Sequence, residues 1–198
     1  MNILNYLNAF EVMRTKTVEF KKDSTIYKED EKCDSIGIIE SGTVEIATYL
    51  ENGVKIVFNT LESGEMFGSN LVFSSQPIYK GNVVATSNCK ICFIHKDDLK
   101  VIFAENEDFL VRFLNIQSDF TKNLNYRIKL LSMSSAKDRV MFAVESAKNN
   151  IIHLTTVNDF ADNLGLTREA TSRTLAKLVD EGLITYDNRT IKKKKRVK

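Results

Sequence analysis

The segment from Thr155 to Ile184 constrains the fold more than any other, because two short helical patterns meet in it at a glycine. Apolar residues recur at helical spacing before Gly165 and again after it. Gly165 can adopt the positive φ that a tight turn between helices needs, and Thr167 stands where the second helix needs an N-cap. The pattern therefore predicts a helix-turn-helix.

The second predicted helix begins with side chains that suit the base edges of DNA. In a helix-turn-helix, the first turn of this helix points into the major groove. Arginine pairs with guanine O6 and N7, and glutamate accepts from cytosine N4, so Arg168, Glu169 and Arg173 are the candidate base-contacting residues. An amphipathic helical hairpin with a charged surface would show the same apolar period. The glycine, the cap and the basic first turn together favour the DNA-binding interpretation.

The net charge of +2 is unevenly distributed along the 198 residues. Residues 136–198 carry a net charge of +5, whereas residues 1–135 carry −3. The cations thus accompany the predicted helix-turn-helix, and six of them lie in the terminal run IKKKKRVK. This asymmetry is the expected electrostatic footprint of a polyanionic partner, here double-stranded DNA.

Upstream of the helix-turn-helix, the chain changes from a β pattern to a helical one. From Thr17 to about Ile94, short β-branched runs recur about every ten residues, which is typical of a sandwich or barrel, and Asn52-Gly53 predicts a hairpin. From Lys96 to about Ser132 there is no glycine or proline, and the period predicts a long amphipathic helix. This helix is either a core helix or a dimer seam, and the two-fold symmetry of most helix-turn-helix sites favours the seam. Its apolar stripe is formed by Leu110, Phe113, Phe120 and Leu124, widened by Phe109, Ile116, Ile128 and Leu131.

The composition favours a cytoplasmic protein without a membrane partner. The apolar fraction of 43% is typical of a globular protein, no apolar run approaches a membrane span, and the first ten residues lack a secretory signal. Three cysteines form no even disulfide framework. Cys89 and Cys92 are three residues apart on a predicted strand and would face opposite sides, so we expect no metal site and no cofactor.

The chain also lacks the residues that the rival enzyme classes require. Oxygenases on a β-roll gather two or three histidines and a carboxylate around a metal, but only His95 and His153 are present, far apart. No G-x-S-x-G, P-loop or H-E-x-x-H motif occurs, so we expect no catalytic residues. A second alternative is a β-roll ligand-binding module that interacts with other proteins and has no specific DNA binding.

The order of β-roll, long helix and winged helix-turn-helix resembles the Crp/Fnr family of bacterial transcription regulators over nearly the whole chain. The motifs that carry the resemblance are Ser41-Gly42-Thr43-Val44, Gly64-Glu65-Met66-Phe67-Gly68, and Leu164 to Glu169 with Ser172-Arg173. The resemblance implies an α+β fold. It places an antiparallel β-roll of the cyclic-nucleotide-binding, jelly-roll type at 1–105, a dimerisation helix at 106–134, and a winged helix-turn-helix at 135–198, with the wing turning at Asp187-Asn188.

The resemblance also implies how the protein binds DNA. It indicates a homodimer on an inverted-repeat operator, with Arg168, Glu169 and Arg173 reading half-sites similar to TGTGA; TTGAT-like half-sites are the alternative. RNA polymerase is the implied protein partner. The expected phosphate contacts are Arg139, Thr167 and Ser172, together with Lys193 from the basic tail.

The cyclic-nucleotide contacts of the family are not retained. Relatives that bind cyclic AMP have a glutamate after the last glycine of the loop, and an arginine followed by serine or threonine; here these places hold Ser69 and Tyr79-Lys80. A buried phosphate would lose a charge-assisted, often bidentate contact with a guanidinium. We therefore expect either an unknown small-molecule effector other than cyclic AMP, or none. The candidate pocket residues are Gly64, Glu65, Gly68, Ser69, Asn70, Tyr79, Lys80, Leu124 and Asn125.

Overall fold

The computed structural model describes residues 2–194, and the chain divides into two compact units, Met1–Asp119 and Phe120–Lys198. The last four residues of the predicted basic tail, 195–198, lie outside the described part. The boundary between the units falls within a long helix. No helix among the described residues has the length and apolar character needed to cross a membrane.

The first unit contains a β-roll, as predicted. Its strands form two four-stranded antiparallel sheets, in the orders β1-β8-β3-β6 and β2-β7-β4-β5. Buried aliphatic side chains from both sheets form the core, because alternate strand residues face the interior. The strands are β1 (Thr15–Phe20), β2 (Thr25–Tyr27), β3 (Ser35–Ser41), β4 (Val44–Tyr49), β5 (Lys55–Leu61), β6 (Met66–Phe67), β7 (Asn82–Ala85) and β8 (Cys89–His95).

The turn at Gly42 connects β3 and β4, which belong to different sheets. β3 pairs with β8 and β6, whereas β4 pairs with β5 and β7. Gly42 has a φ of 92°, and a Cβ there would collide with the carbonyl oxygen of Asn88, so the position requires glycine. The hairpin predicted at Asn52-Gly53 is confirmed, since it connects the paired strands β4 and β5.

The region from Lys96 to about Ser132, predicted as one long helix, consists instead of two helices that meet at Asn106. They are α2 (Lys96–Glu105) and α3 (Glu107–Leu131), and a short helix α1 (Ala9–Val12) precedes the roll. The Asn106 side chain accepts from the backbone N–H of Phe109 at 2.9 Å and donates to the Glu11 carboxylate at 2.9 Å. Asparagine thus satisfies an open N–H in the first turn of α3, which is why a new helix begins here.

The second unit is built around the predicted helix-turn-helix. Its helices are α4 (Ala136–Ser146), α5 (Val157–Leu164) and α6 (Arg168–Asp180), and its antiparallel sheet contains β9 (Ile151–His153), β10 (Ile184–Asp187) and β11 (Thr190–Lys193). Gly165 has a φ of 61° and ends α5 in the left-handed conformation. The N–H of Leu166 donates to the carbonyl of Ala161 at 3.0 Å, which closes the turn before α6.

The wing is confirmed, but its turn lies one residue further along the chain than predicted. Asp187 pairs with Thr190, so the two-residue loop is Asn188-Arg189 and not Asp187-Asn188. Both loop residues have positive φ, 45° and 58°. This conformation matches the right-handed twist of paired strands, and asparagine tolerates it well.

Candidate nucleic-acid interface

The two faces of α6 have opposite characters. Its inner face consists of Thr171, Leu175 and Leu178, which are buried against the core of the second unit. The outer face is exposed along the first two turns, where side chains three and four residues apart lie side by side. This face contains Arg168, Glu169, Ser172 and Arg173.

The three predicted base-contacting side chains are exposed to solvent. Within residues 2–194, the side chains of Arg168, Glu169 and Arg173 make no hydrogen bond or ion pair. These groups can therefore bind another molecule without first breaking a contact within the described part of the protein. Because they lie in the first half of one exposed helix, a single groove can receive all three.

Thr167 is the N-cap of α6, as predicted. Its hydroxyl oxygen accepts from the backbone N–H of Ala170 at 3.2 Å. A hydroxyl that accepts one bond retains its own proton as a donor. Thr167 and the exposed Ser172 can thus each donate to a phosphate oxygen beside the helix.

Arg139 and Lys193 have partners within the protein. The guanidinium of Arg139, in α4, donates to four backbone carbonyls, which leaves one of its five N–H groups. The ammonium of Lys193, in β11, lies 2.6 Å from the Glu145 carboxylate in an exposed ion pair. Arg139 therefore has only one N–H left for a phosphate, and Lys193 must leave the Glu145 carboxylate before it can contact one.

A stripe along α3, exposed at five of its seven positions, follows a heptad spacing that was not identified from the sequence. Successive members are four and three residues apart, and the apolar ones toward the C-terminus, such as Leu124 and Ile128, are 48% and 60% exposed. Phe109 and Phe113, assigned to the stripe in the sequence, are instead buried in the β-roll core. Counting strictly by four and three would have separated these two faces. We call the seven residues the seam stripe: Leu110, Leu114, Gln117, Thr121, Leu124, Ile128 and Leu131.

The candidate effector pocket in the β-roll contains a buried tyrosine. Tyr79 is 2% exposed, and its ring stacks on Tyr27 with the centroids 4.6 Å apart. Phe67 and Phe93 meet Tyr27 edge-on. Burial, with a smaller contribution from the adjacent Cys33 thiol, raises the pKa of the Tyr79 phenol well above its ordinary value. The side chain therefore remains neutral at any physiological pH.

Besides the buried Tyr79, the first unit contributes two charged candidates to the pocket, and both are exposed. Lys80, which follows Tyr79, is exposed, and the Glu65 carboxylate accepts from the backbone N–H of Glu62 at 2.8 Å within its own turn. Gly68 is buried against Tyr79, where a Cβ would come within 3.0 Å of the phenol oxygen. Of the remaining candidates, Gly64 and Ser69 are half-buried, Asn70 is exposed, and Leu124 and Asn125 are exposed in the second unit.

The three cysteines are free and buried. Burial raises the pKa of the Cys33 and Cys92 thiols above the ordinary value, which disfavours the reactive thiolate. Among the described residues, no group of three or more histidine, cysteine, aspartate or glutamate side chains is arranged to hold a metal ion.

The two units match two protein families. The cyclic nucleotide-binding domain family matches residues 17–106, and the Crp-like helix-turn-helix domain family matches residues 129–197. The nitrogen fixation regulation protein FixK of Azorhizobium caulinodans is 24% identical over 177 residues, 84% of this chain and 70% of the relative. The fumarate and nitrate reduction regulatory protein of Salmonella typhi is 25% identical over 191 residues, 91% of this chain and 74% of the relative.

Solved structures show the same architecture. The catabolite activator protein of Thermus thermophilus superposes with a TM-score of 0.56 at 17% identity, over 97% of this chain and 93% of the other. A CooA mutant from Carboxydothermus hydrogenoformans superposes with a TM-score of 0.65 at 18% identity, over 98% and 92%. Both family matches and the curated relatives agree with the fold. The chain therefore belongs to the Crp/Fnr family of DNA-binding transcription regulators and is not an enzyme.

Proposed function

We propose that the protein regulates transcription as a homodimer that binds an inverted-repeat operator with TGTGA-like half-sites. Each α6 enters the major groove of one half-site, where Arg168 and Arg173 donate to guanines and Glu169 accepts from cytosine. Thr167, Ser172 and Lys193 contact phosphates at the groove edges. RNA polymerase is the protein partner on which the bound dimer acts.

The observation that carries this proposal is the exposure of Arg168, Glu169 and Arg173 on one helix face, where their side chains have no partner within residues 2–194. Selection of binding sites from random double-stranded DNA tests it. We expect an inverted repeat with TGTGA-like halves and a G·C pair opposite Glu169. An enriched motif without that pair, or no enriched motif, would refute the base assignment, and enrichment of TTGAT-like halves would favour the alternative specificity.

The homodimer is supported by the seam stripe of α3. Five of its seven members are apolar, and four of these, Leu114, Leu124, Ile128 and Leu131, are exposed. Apolar residues exposed at heptad spacing on a 25-residue helix are typical of a helix that packs against a second helix. Its central members, Gln117 and Thr121, are polar, and polar residues at such positions favour one register over others. A second copy of the chain presents an identical stripe, so a two-fold axis along α3 covers both.

We also propose that DNA binding does not depend on cyclic AMP. The support is the Tyr79 ring, which occupies buried space stacked on Tyr27, while the cation of Lys80 is exposed to solvent. A cyclic phosphate placed there would lack a guanidinium and would have to displace an aromatic side chain. Calorimetry with cyclic AMP and cyclic GMP is expected to show no binding, and micromolar affinity for either nucleotide would refute the proposal.

A further inference from the structure

The Arg139 guanidinium lies between the C-terminal ends of two helices. Nη2 donates to the carbonyl of Leu131, the last residue of α3, at 3.3 Å, and Nε donates to that of Met133, two residues beyond the helix, at 3.0 Å. Nη1 donates to the carbonyls of Leu164 and Gly165 at the end of α5, each at 3.1 Å. The last carbonyls of a helix lack partners within it and carry its partial negative charge, so a cation that bonds both ends stabilises this arrangement.

A close side-chain contact reinforces the same junction. A Cβ at Gly165 would lie 2.8 Å from Cδ2 of Leu131 and 3.4 Å from Nη1 of Arg139. The last residue of α3 therefore packs directly on the turn of the helix-turn-helix. Gly165 precedes Thr167, the N-cap of α6, by two residues. The end of α3 and the start of α6, the proposed recognition helix, are thus linked through one glycine and one guanidinium.

We propose that Arg139 is a positioning residue that fixes the recognition helix to the end of α3. The inference rests on the proposed homodimer. If the two α3 helices pair along the seam stripe, the orientation of α6 relative to α3 determines the separation and rotation of the two recognition helices. Arg139 thereby sets the half-site spacing that the dimer accepts, and it does so through four backbone bonds and not by contacting DNA.

Lysine cannot take over this role, although it keeps the charge. A guanidinium distributes five N–H donors over three nitrogens in a rigid plane, whereas an ammonium concentrates three donors on one flexible atom. One ammonium cannot reach carbonyls at two helix ends in the same fixed geometry. Arg139→Lys therefore separates the positioning role from the effect of charge, and it also keeps the test valid should Arg139→Met fail to fold.

The experiment measures binding of wild type, Arg139→Met and Arg139→Lys to operators whose spacer is one base pair shorter, unchanged or one longer. Each base pair shifts a half-site by about 3.4 Å and rotates it by about 35°, so the wild type should bind the altered spacers much more weakly. We compare the affinity for the unchanged spacer with the affinity for the altered spacers. For both variants, we expect the ratio of these two affinities to fall about tenfold, as is typical of coupling residues. Lys137→Met, which removes a cation from the same helix, should leave the ratio unchanged.

A general loss of stability would weaken binding to all spacers alike and leave the ratio at the wild-type value, which would refute the proposal. The dependence of affinity on salt identifies the other role that Arg139 could have. If Arg139 contacted a phosphate, Arg139→Met would lower the slope of log K against log salt by about one, a result that would also refute it. Failure of the wild type to prefer palindromic DNA would instead refute the proposed function itself.

Discussion

Arg168 is the first residue of α6, and its side chain makes no hydrogen bond or ion pair in the described part of the chain. Arg168→Ala should reduce discrimination at one base pair of each half-site by about 1–3 kcal/mol, because a bidentate contact with guanine is lost. Competition binding against operators with each base pair replaced in turn measures this effect. Lys177→Ala removes the same charge from the last turn of α6 and should leave base preference unchanged. Equal loss of affinity for all sequences in Arg168→Ala would assign that side chain to the phosphates.

Tyr79 provides a stability test at the same scale. Its hydroxyl is buried and has no hydrogen-bond partner among the described residues, and such a group costs about 1–3 kcal/mol. Tyr79→Phe should therefore leave the free energy of unfolding unchanged or raise it. Tyr79→Ala, which removes the ring stacked on Tyr27, should lower it by about 3–5 kcal/mol. Denaturant titration gives both values, and a clear loss in Tyr79→Phe would show that the hydroxyl is bonded.

Individual residues differ in how far the sequence alone identified them. Gly165 and Thr167 were predictable because a positive φ and an N-cap each require a particular residue type. The partners of Arg139 were not, since three of its four carbonyl acceptors depend on how α4 packs against α3 and α5. A lone arginine in a sequence indicates a charge but not its contacts.

At the scale of the element, α3 gives the sharpest test of the dimer. Leu124→Glu places a carboxylate in the middle of the seam stripe, and the two identical charges would lie close together in a paired seam. We expect sedimentation equilibrium to show a dimer for the wild type and mainly monomer for the variant. Lys122→Glu lies two residues away on the same helix but outside the stripe, and it should remain dimeric. A dimeric Leu124→Glu protein would place the interface elsewhere.

The strands show why the alternation of apolar residues in a sequence does not by itself determine the topology of the sheets. Alternation predicted the short strands of the roll, but it could not show that β3 and β4 belong to different sheets. That outcome depends on pairing with β8 and β7, which lie far along the chain. Likewise, the wing was evident from its residues, whereas its turn was displaced by one position because register is set by pairing with β11.

For the whole molecule, the uneven charge predicts that affinity for DNA falls with salt. The Lys193–Glu145 pair is exposed, and such pairs contribute little stability, so a phosphate can replace the carboxylate. Lys193→Ala should then lower the slope of log K against log salt by about one. Lys100→Ala, which removes a similarly exposed ion pair with Asp97 in α2, should not change it. An unaltered slope in Lys193→Ala would remove this residue from the DNA interface.

The whole architecture was predictable from the sequence, but the packing of the candidate effector pocket was only partly predictable. Motifs at fixed spacing indicated the order of β-roll, long helix and winged helix-turn-helix, and the family matches confirm it. The replacement of an arginine by Tyr79 was visible in the sequence, but whether that ring lined an opening or filled the interior was not. Its stacking on Tyr27 depends on β2 and on the segment just before β7, which the fold alone brings together.

The ring of Tyr79 also makes the roll a natural place to install an artificial switch. Trimming it to alanine would leave a hollow bordered by Tyr27 and by the small Gly68, shaped like the phenol that was removed. Apolar hollows of this kind accept small aromatic guests. The Tyr79→Ala regulator, destabilised by the cavity, would regain stability when phenol is added. Expression of a gene under its operator would then depend on an inexpensive chemical.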